Sequence, residues 1–99
     1  MEWRFAEPND FEWIKKASMQ HHEESDWSEV KYSEEKCDKY IRAATNDPSY
    51  FGIIVEKDEE RIGFMSGRLL EYYFSREKYA RQIDLYVDPT HRTVMAGIF

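Results

Sequence analysis

The 99-residue sequence has little cysteine, little basic charge and no long apolar run. A single cysteine, Cys37, excludes an intrachain disulfide and fits a reducing compartment, so we expect a cytoplasmic protein. With 14 basic and 20 acidic residues the net charge is −6, which disfavours nucleic-acid binding because that requires a basic field. No apolar run approaches the length that spans a bilayer, and residues 1–10 lack the basic start and apolar core of a signal peptide. We therefore expect neither nucleic acid nor a membrane as a partner.

The sequence does have a high aromatic content, 16% of its residues, within a hydrophobic fraction of 41%. Large apolar side chains offset the chain entropy lost on folding, so this composition favours a folded domain over a disordered chain. The length suits one small domain, which we place over residues 1–99.

The first half of the chain predicts a strand followed by two helices. Residues 3–6 alternate between apolar and polar, and Asn9 or Asp10 can cap a first helix that ends between residues 20 and 25. Ser33 can cap a second helix, and residues 46–48 (Asn-Asp-Pro) end it. Apolar residues recur at helical spacing in both segments: Phe11, Ile14 and Ala17 in the first, and Cys37, Tyr40, Ile41 and Ala44 in the second.

The second half predicts three strands, over residues 50–56, 62–73 and 80–87, and then a loop that enters a helix. In the last strand Ile83, Leu85 and Val87 alternate with Gln82, Asp84 and Tyr86, which predicts two opposite faces. The resulting fold class is α/β (α+β), a sheet with two N-terminal helices.

Three segments of this order resemble the GNAT superfamily of N-acetyltransferases. Arg4-Phe5-Ala6, with Asp10 and Ile14, is similar to the strand and helix that open the family's fold. Residues 51–55 and 62–64 resemble its central hairpin, and residues 83–92 its fourth strand and the start of its acetyl-CoA signature. The resemblance covers essentially the whole chain but about the first two-thirds of such a fold. It implies a GNAT-like, mostly antiparallel sheet, truncated after the fourth strand.

The resemblance also implies acetyl-CoA as a substrate. The backbone of Leu85, Tyr86 and Val87 would pair with the pantetheine arm, as an added strand would. The loop and helix start would hold the pyrophosphate, through Arg92, Thr93, Val94, Met95, Ala96 and Gly97. The family signature is Gln or Arg, two variable residues, Gly, one variable residue, and Gly or Ala. Arg92 and Gly97 match it, whereas Met95 occupies the first glycine position.

Three residues are candidates for acid–base chemistry. Asp84 is the first candidate for the base that takes a proton from an amine, and Glu71 is the second. Tyr86 is a candidate acid or pocket wall. The alternatives are a solvated or hydrogen-bonded Asp84, an ordinary surface carboxylate at Glu71 and a packed tyrosine at Tyr86. Many members of the resembled family carry a glutamate earlier on this strand, where Arg81 stands here.

Other residues have a structural reading that competes with a functional one. His21 and His22 are adjacent and point about 100° apart on a helix, so they favour a solvated helix end over a metal site, and we predict no metal. Trp27, like Trp3 and Trp13, would line an acceptor site or, by default, pack in the core. For Cys37 we expect a buried, inert thiol.

These features leave three functions open. The first is acetyl transfer from acetyl-CoA to the primary amine of a small molecule or protein, if the chain is completed beyond residue 99. The second is a non-catalytic GNAT-like module in a larger assembly such as a virus particle, which Met95 and Arg81 favour. The third is a small acidic inhibitor or mimic. Because residues 95–99 are apolar, we also expect that the chain continues or that a homo-oligomer or larger assembly covers this end.

Overall fold

The computed structural model describes residues 1–92 and contains two helices packed on one face of a four-stranded sheet. The elements are, in chain order, β1 (Glu2–Phe5), α1 (Phe11–Glu24), α2 (Glu34–Asn46), β2 (Tyr50–Lys57), β3 (Glu60–Glu71) and β4 (Lys78–Val87). All neighbouring strands are antiparallel, in the order β1-β2-β3-β4. The predicted fold class is confirmed, and so is the order of the elements up to the end of β4. The helix predicted after the following loop lies largely outside the described residues.

The core lies between the helices and the inner face of the sheet, which we define as the face that contacts them. Ile14 of α1 and Ile41 of α2 meet Ile54 and Phe64, which are paired across β2 and β3. At Gly52 a Cβ would lie 3.1 Å from the Ala44 carbonyl oxygen, so glycine allows α2 to approach β2 closely. The apolar residues that recur at helical spacing in α1 and α2 thus pack against those of the strands in one apolar layer.

Local capping chemistry sets the start of α2 as predicted. The Ser33 hydroxyl accepts a hydrogen bond of 3.2 Å from the Lys36 backbone N–H, and Glu34 and Glu35 lie in the first turn. The Asp47 carboxylate accepts the Ser49 N–H at 2.8 Å just beyond the helix, where residues 46–48 were expected to end it.

The capping role predicted for Asp10 is wrong, because its carboxylate takes part in a buried ionic cluster instead. Arg4 donates two hydrogen bonds to Asp10, of 2.7 and 2.8 Å, and the Arg61 Nε donates a third of 2.8 Å. The Glu7 N–H donates a fourth, also of 2.8 Å. Burial acts to raise the pKa of Asp10, but these hydrogen bonds outweigh it and lower the pKa to about 2.

The strand β4 forms one edge of the sheet in the described part of the chain, and it contains a β-bulge. Gln82 pairs with Gly67 and Asp84 with Ser66, so Ile83 is the extra residue. Consecutive residues of β3 face opposite sides, which places Gln82 and Asp84 on opposite faces. The prediction that Gln82 shares a face with Asp84 and Tyr86 is therefore wrong, because strict alternation holds only after the bulge.

The turn between β2 and β3 has unusual backbone geometry. Asp58 and Glu59 have φ angles of 52° and 64°, in the left-handed region. Positive φ at both central residues is typical of a type I′ hairpin turn, whose twist matches that of the flanking strands. The turn falls between the two strands predicted from the sequence, over residues 50–56 and 62–73. Asp58 is a residue that such turns favour, whereas Glu59 stands where glycine is usual.

Candidate functional site

The last turn of α1 lies against β4, where the side chain of a histidine contacts that of an aspartate. The Nδ1 atom of His21 is 2.7 Å from Oδ1 of Asp84. The His21 side chain is 39% exposed and that of Asp84 is 21% exposed, so the pair is accessible without being fully solvated. The prediction of a solvated helix end for His21 is wrong, because this side chain meets the inner face of the sheet.

Two local features create this contact. Ile14, Ala17 and His21 are spaced i, i+3, i+7, so they lie on one face of α1, and the first two are buried. The bulge at Ile83 sets the alternation that directs Asp84 toward that face. The helical spacing from Ile14 to His21 was the one sequence signal that could have located the histidine.

A cavity of about 270 Å³ opens beside this pair, and we call it the helix-side cavity. Its lining consists of residues from α1, the α1–α2 connection, the start of α2 and β4: Ser18, His21, His22, Ser25, Trp27, Tyr32, Cys37 and Asp84. Trp27 is 71% exposed, so the default expectation of core packing is wrong for it. Cys37 is half-buried and lines the cavity, where a buried thiol was expected.

A second cavity, of about 350 Å³, adjoins the end of β4, and we call it the strand-side cavity. It is lined by His21, Glu24, Ser25, Leu85, Tyr86, Val87 and Arg92. All four described residues that the sequence assigns to acetyl-CoA line this cavity. The other five, residues 93–97, lie outside the described part of the chain. His21 and Ser25 line both cavities and therefore lie at their junction.

Side chains of the protein occupy the backbone groups that the pantetheine prediction requires. The Leu85 N–H donates to Asp84 Oδ1 at 2.9 Å, and the Val87 carbonyl accepts from Arg92 Nε at 3.0 Å. Arg92 also donates to Glu24 at 2.5 Å, which lowers the pKa of Glu24. A pantetheine amide and a phosphate that bind here must replace these contacts.

The structure separates the other two catalytic candidates. Tyr86 is 5% exposed, its ring packs edge-on against Trp13 at 6.2 Å, and burial raises its pKa. It lines the strand-side cavity, beside His21. Glu71 pairs with Lys78 at the far end of the hairpin. Five residues of strand separate it from Ser66, the partner of Asp84, which is roughly 17 Å. The structure thus groups Tyr86, but not Glu71, with Asp84.

Within residues 1–92, no cluster of three or more His, Cys, Asp or Glu side chains is arranged to hold a metal ion. Over the same residues, no helix has the length and apolar character needed to cross a membrane.

In comparisons with known proteins, residues 11–93 match the model of the acetyltransferase (GNAT) family. No curated protein matches the sequence. A possible acetyltransferase from Clostridium difficile 630 has a similar structure, with a TM-score of 0.83 at 13% identity over 98% of this chain and 63% of that one. A ribosomal-protein-alanine N-acetyltransferase from Brucella melitensis biovar Abortus 2308 has a TM-score of 0.70 at 14% identity, over 95% and 61%.

A third similar structure is a predicted acetyltransferase from Clostridium acetobutylicum with acetyl-CoA, with a TM-score of 0.74 at 12% identity, over 98% of this chain and 66% of that one. At these identities the likeness shows the fold alone. By the coverages given, this chain spans slightly less than two thirds of the length of each of these three structures.

Proposed function

The chain belongs to the GNAT acetyltransferase family, and from that premise we propose that it transfers an acetyl group from acetyl-CoA to a primary amine. The amine belongs to a small molecule or to a protein. The net charge of −6 on this chain favours a cationic acceptor. The single cysteine fits a reaction in the reducing cytoplasm.

One observation carries this proposal: two cavities meet at His21 beside the open edge of β4. Direct transfer needs two substrates whose reacting atoms come within about 3–3.5 Å of each other. The strand-side cavity is suited to the thioester, because β4 can pair with an amide-bearing arm there. The helix-side cavity is suited to the amine. The acetyl-CoA in the Clostridium acetobutylicum structure supports the same cosubstrate here.

The residues around the junction have defined roles in this proposal. The backbone of residues 85–87 aligns the pantetheine, and a strand amide near Val87 polarises the thioester carbonyl. Arg92 supplies positive charge for the pyrophosphate. Asp84 takes part in removing the amine proton, and Tyr86 forms a buried wall beside the reacting atoms.

Acetyl-CoA binding to the full natural protein, measured by isothermal titration calorimetry, tests the proposal. We expect the wild-type chain to bind and Arg92→Glu to abolish binding, because a carboxylate would repel the pyrophosphate. Arg76→Glu, in the loop between β3 and β4, carries the same charge change away from both cavities and should bind like the wild type. Equal affinity in the Arg92 variant would refute the assignment of this site.

The ion pair between Arg92 and Glu24 provides a sharper version of this test. Because Glu24 competes with an anion for the same guanidinium, Glu24→Gln should tighten acetyl-CoA binding by about threefold, the effect expected for release of an exposed pair. Glu23→Gln removes an equal charge from the neighbouring position on α1 and should leave the affinity unchanged. A weaker affinity in Glu24→Gln would mean that Arg92 does not contact the ligand.

A non-catalytic module is the second candidate, and one observation favours it. The Leu85 N–H, the Val87 carbonyl and the Arg92 guanidinium all have partners within the chain, as they would in a protein that binds no cosubstrate. This alternative predicts no acetyl-CoA binding even after Glu24→Gln, and a fixed stoichiometry with another subunit of an assembly. Heat on titration with acetyl-CoA that saturates at one site would exclude it.

A further inference from the structure

We propose that His21 is the residue that accepts the proton of the attacking amine and that Asp84 positions its ring. This inference rests on the acetyl transfer proposed above. It gives the base role to a histidine of α1, and it changes the role of Asp84 from catalytic base to positioning residue.

The location of His21 is the first argument. Among residues 1–92, His21 and Ser25 are the two that line both the helix-side and the strand-side cavity. The Ser25 hydroxyl is already engaged, since it donates to the His22 carbonyl at 2.8 Å and accepts the Trp27 N–H at 3.2 Å. Among the residues that line the two cavities, His21 is therefore the titratable group at the place where an amine and a thioester would meet.

The contact between the two side chains is the second argument. With the carboxylate of Asp84 2.7 Å from Nδ1, the proton of a neutral His21 is held on Nδ1, and Nε2 becomes the basic nitrogen. The same Asp84 oxygen also accepts the Leu85 N–H at 2.9 Å. An oxygen with two donors suits the orientation of an imidazole better than the direct removal of a substrate proton.

The reaction step balances without another reactant. The amine nitrogen bonds to the thioester carbonyl carbon, and the carbon–sulfur bond breaks with its electron pair on sulfur. The amine proton passes to Nε2 of His21, which becomes an imidazolium that the negative charge of Asp84 stabilises. The ring then returns this proton to the thiolate, so that the products are an amide, coenzyme A thiol and neutral His21.

Charged and titratable groups surround His21 on several elements. Glu24 lies on its own helix, Asp84 and Tyr86 lie on β4, and Arg92 follows β4. The α1–α2 side of the helix-side cavity adds Tyr32, whose pKa burial raises to about 12, and Cys37. Of these groups, only Asp84 makes direct ionic contact with the His21 ring among the ion pairs of residues 1–92.

The tautomer of His21 provides a test that requires no activity. Long-range ¹H–¹⁵N NMR spectra distinguish a ring protonated on Nδ1 from one protonated on Nε2. We expect the Nδ1–H form in the wild type and the Nε2–H form in Asp84→Asn, because the amide removes the charge that holds the proton on Nδ1. An Nε2–H form in the wild type would overturn the proposal. Glu23→Gln, on an exposed part of α1 that lines neither cavity, should keep the wild-type tautomer.

Steady-state kinetics then test the base role, with phenethylamine as the acceptor and release of the coenzyme A thiol as the readout. We expect His21→Gln to lower kcat by about 100-fold or more, the usual contribution of a general base, and to remove the ascending limb of the pH profile. Asp84→Asn should lower kcat and leave the KM for acetyl-CoA nearly unchanged, because the ring loses the carboxylate that orients it without losing a group that holds the cosubstrate. A His21→Gln enzyme with an unchanged pH profile would overturn the base assignment.

Acetyl-CoA binding separates the failure of this inference from the failure of the proposed function. If His21→Gln binds acetyl-CoA normally but turns over slowly, both proposals are supported. If it binds and turns over like the wild type, the acetyl transfer stands and the base is another group. If neither wild type nor variant binds acetyl-CoA, the proposed function itself fails, and this inference, which rests on it, fails too.

Discussion

Two of the aspartates that contact basic side chains, Asp10 and Asp84, have different surroundings. Asp10 is 0% exposed and accepts hydrogen bonds from Arg4, Arg61 and a backbone N–H. The Asp84 side chain is 21% exposed, contacts the single imidazole of His21 and lines a cavity. The first carboxylate has its lone pairs filled by fixed donors, whereas the second faces a space that a ligand can enter.

The difference shows how position decides what a carboxylate does. A fully enclosed charge is tolerated only with complete pairing, so Asp10 contributes to stability and cannot exchange partners. A partly exposed carboxylate beside an imidazole can orient that ring at little cost to the fold. Measurements on the two sites should therefore give opposite patterns of stability and activity.

The largest expected effect is on stability at the buried site. Asp10→Ala should lower the free energy of unfolding by about 3 kcal/mol, because Arg61 and the Glu7 N–H lose this partner, while Arg4 keeps its ion pair with Glu56. Asp84→Ala should lower it by less than about 1 kcal/mol. Urea denaturation of both variants measures the contrast. Equal losses would show that the two carboxylates do not differ as proposed.

The next effect is the pH dependence of stability. The pKa of Asp10 is lowered from 3.8 to about 2 in the folded chain, so the stabilisation is fully present above pH 3.8 and is lost as the pH falls through 2. This shift corresponds to about 2 kcal/mol. Denaturation between pH 2 and 5 should show a decline in the wild type that Asp10→Asn lacks. A parallel decline in both proteins would assign the acid sensitivity to other groups.

The smallest expected effect is on stability, from replacing a carboxylate in the β2–β3 turn, away from both aspartates. Glu59 lies in the β2–β3 turn with a φ of 64°, so Glu59→Gly should raise the free energy of unfolding by about 0.5 kcal/mol as backbone strain is relieved. Glu60→Gly, at the next position and at the start of β3, should instead destabilise the chain. Thermal unfolding of the Glu59→Gly and Glu60→Gly variants measures these effects. Because Glu59→Gly also removes one negative charge, a stabilised variant would show that the stability lost in Asp10→Ala comes from the contacts of Asp10 and not from the loss of charge alone.

The helices and strands could be predicted from the sequence because their signals are local. Apolar spacing and the Ser33 cap gave α2, and the alternation around Asp84 indicated a strand. The residues expected to contact the pantetheine, Leu85 to Val87, lie together with Arg92 in one cavity, as the resemblance implied. Their role in binding acetyl-CoA stays a prediction.

The contacts that define the two sites could not be predicted, because they join residues distant in the sequence. Arg61 reaches Asp10 across 51 positions, and no local pattern marks that pairing. The sequence predicted a solvated helix end for His21 because its neighbours in the chain are polar, whereas its contact, Asp84, lies on β4. The bulge at Ile83 did have a sequence signal, because it lies opposite Gly67 and a glycine inside a strand often marks a bulge.

An uncovered strand edge presents unpaired backbone groups to any extended chain, which is how sheets grow into aggregates. Within the described residues β4 is such an edge, and its first six residues are exposed. Lys78 and Arg81 lie in this stretch. Their charges oppose the approach of a second copy, in the manner of gatekeeper residues. Pairing with a second copy of this stretch would bring these like charges together, so we expect the edge to resist self-association.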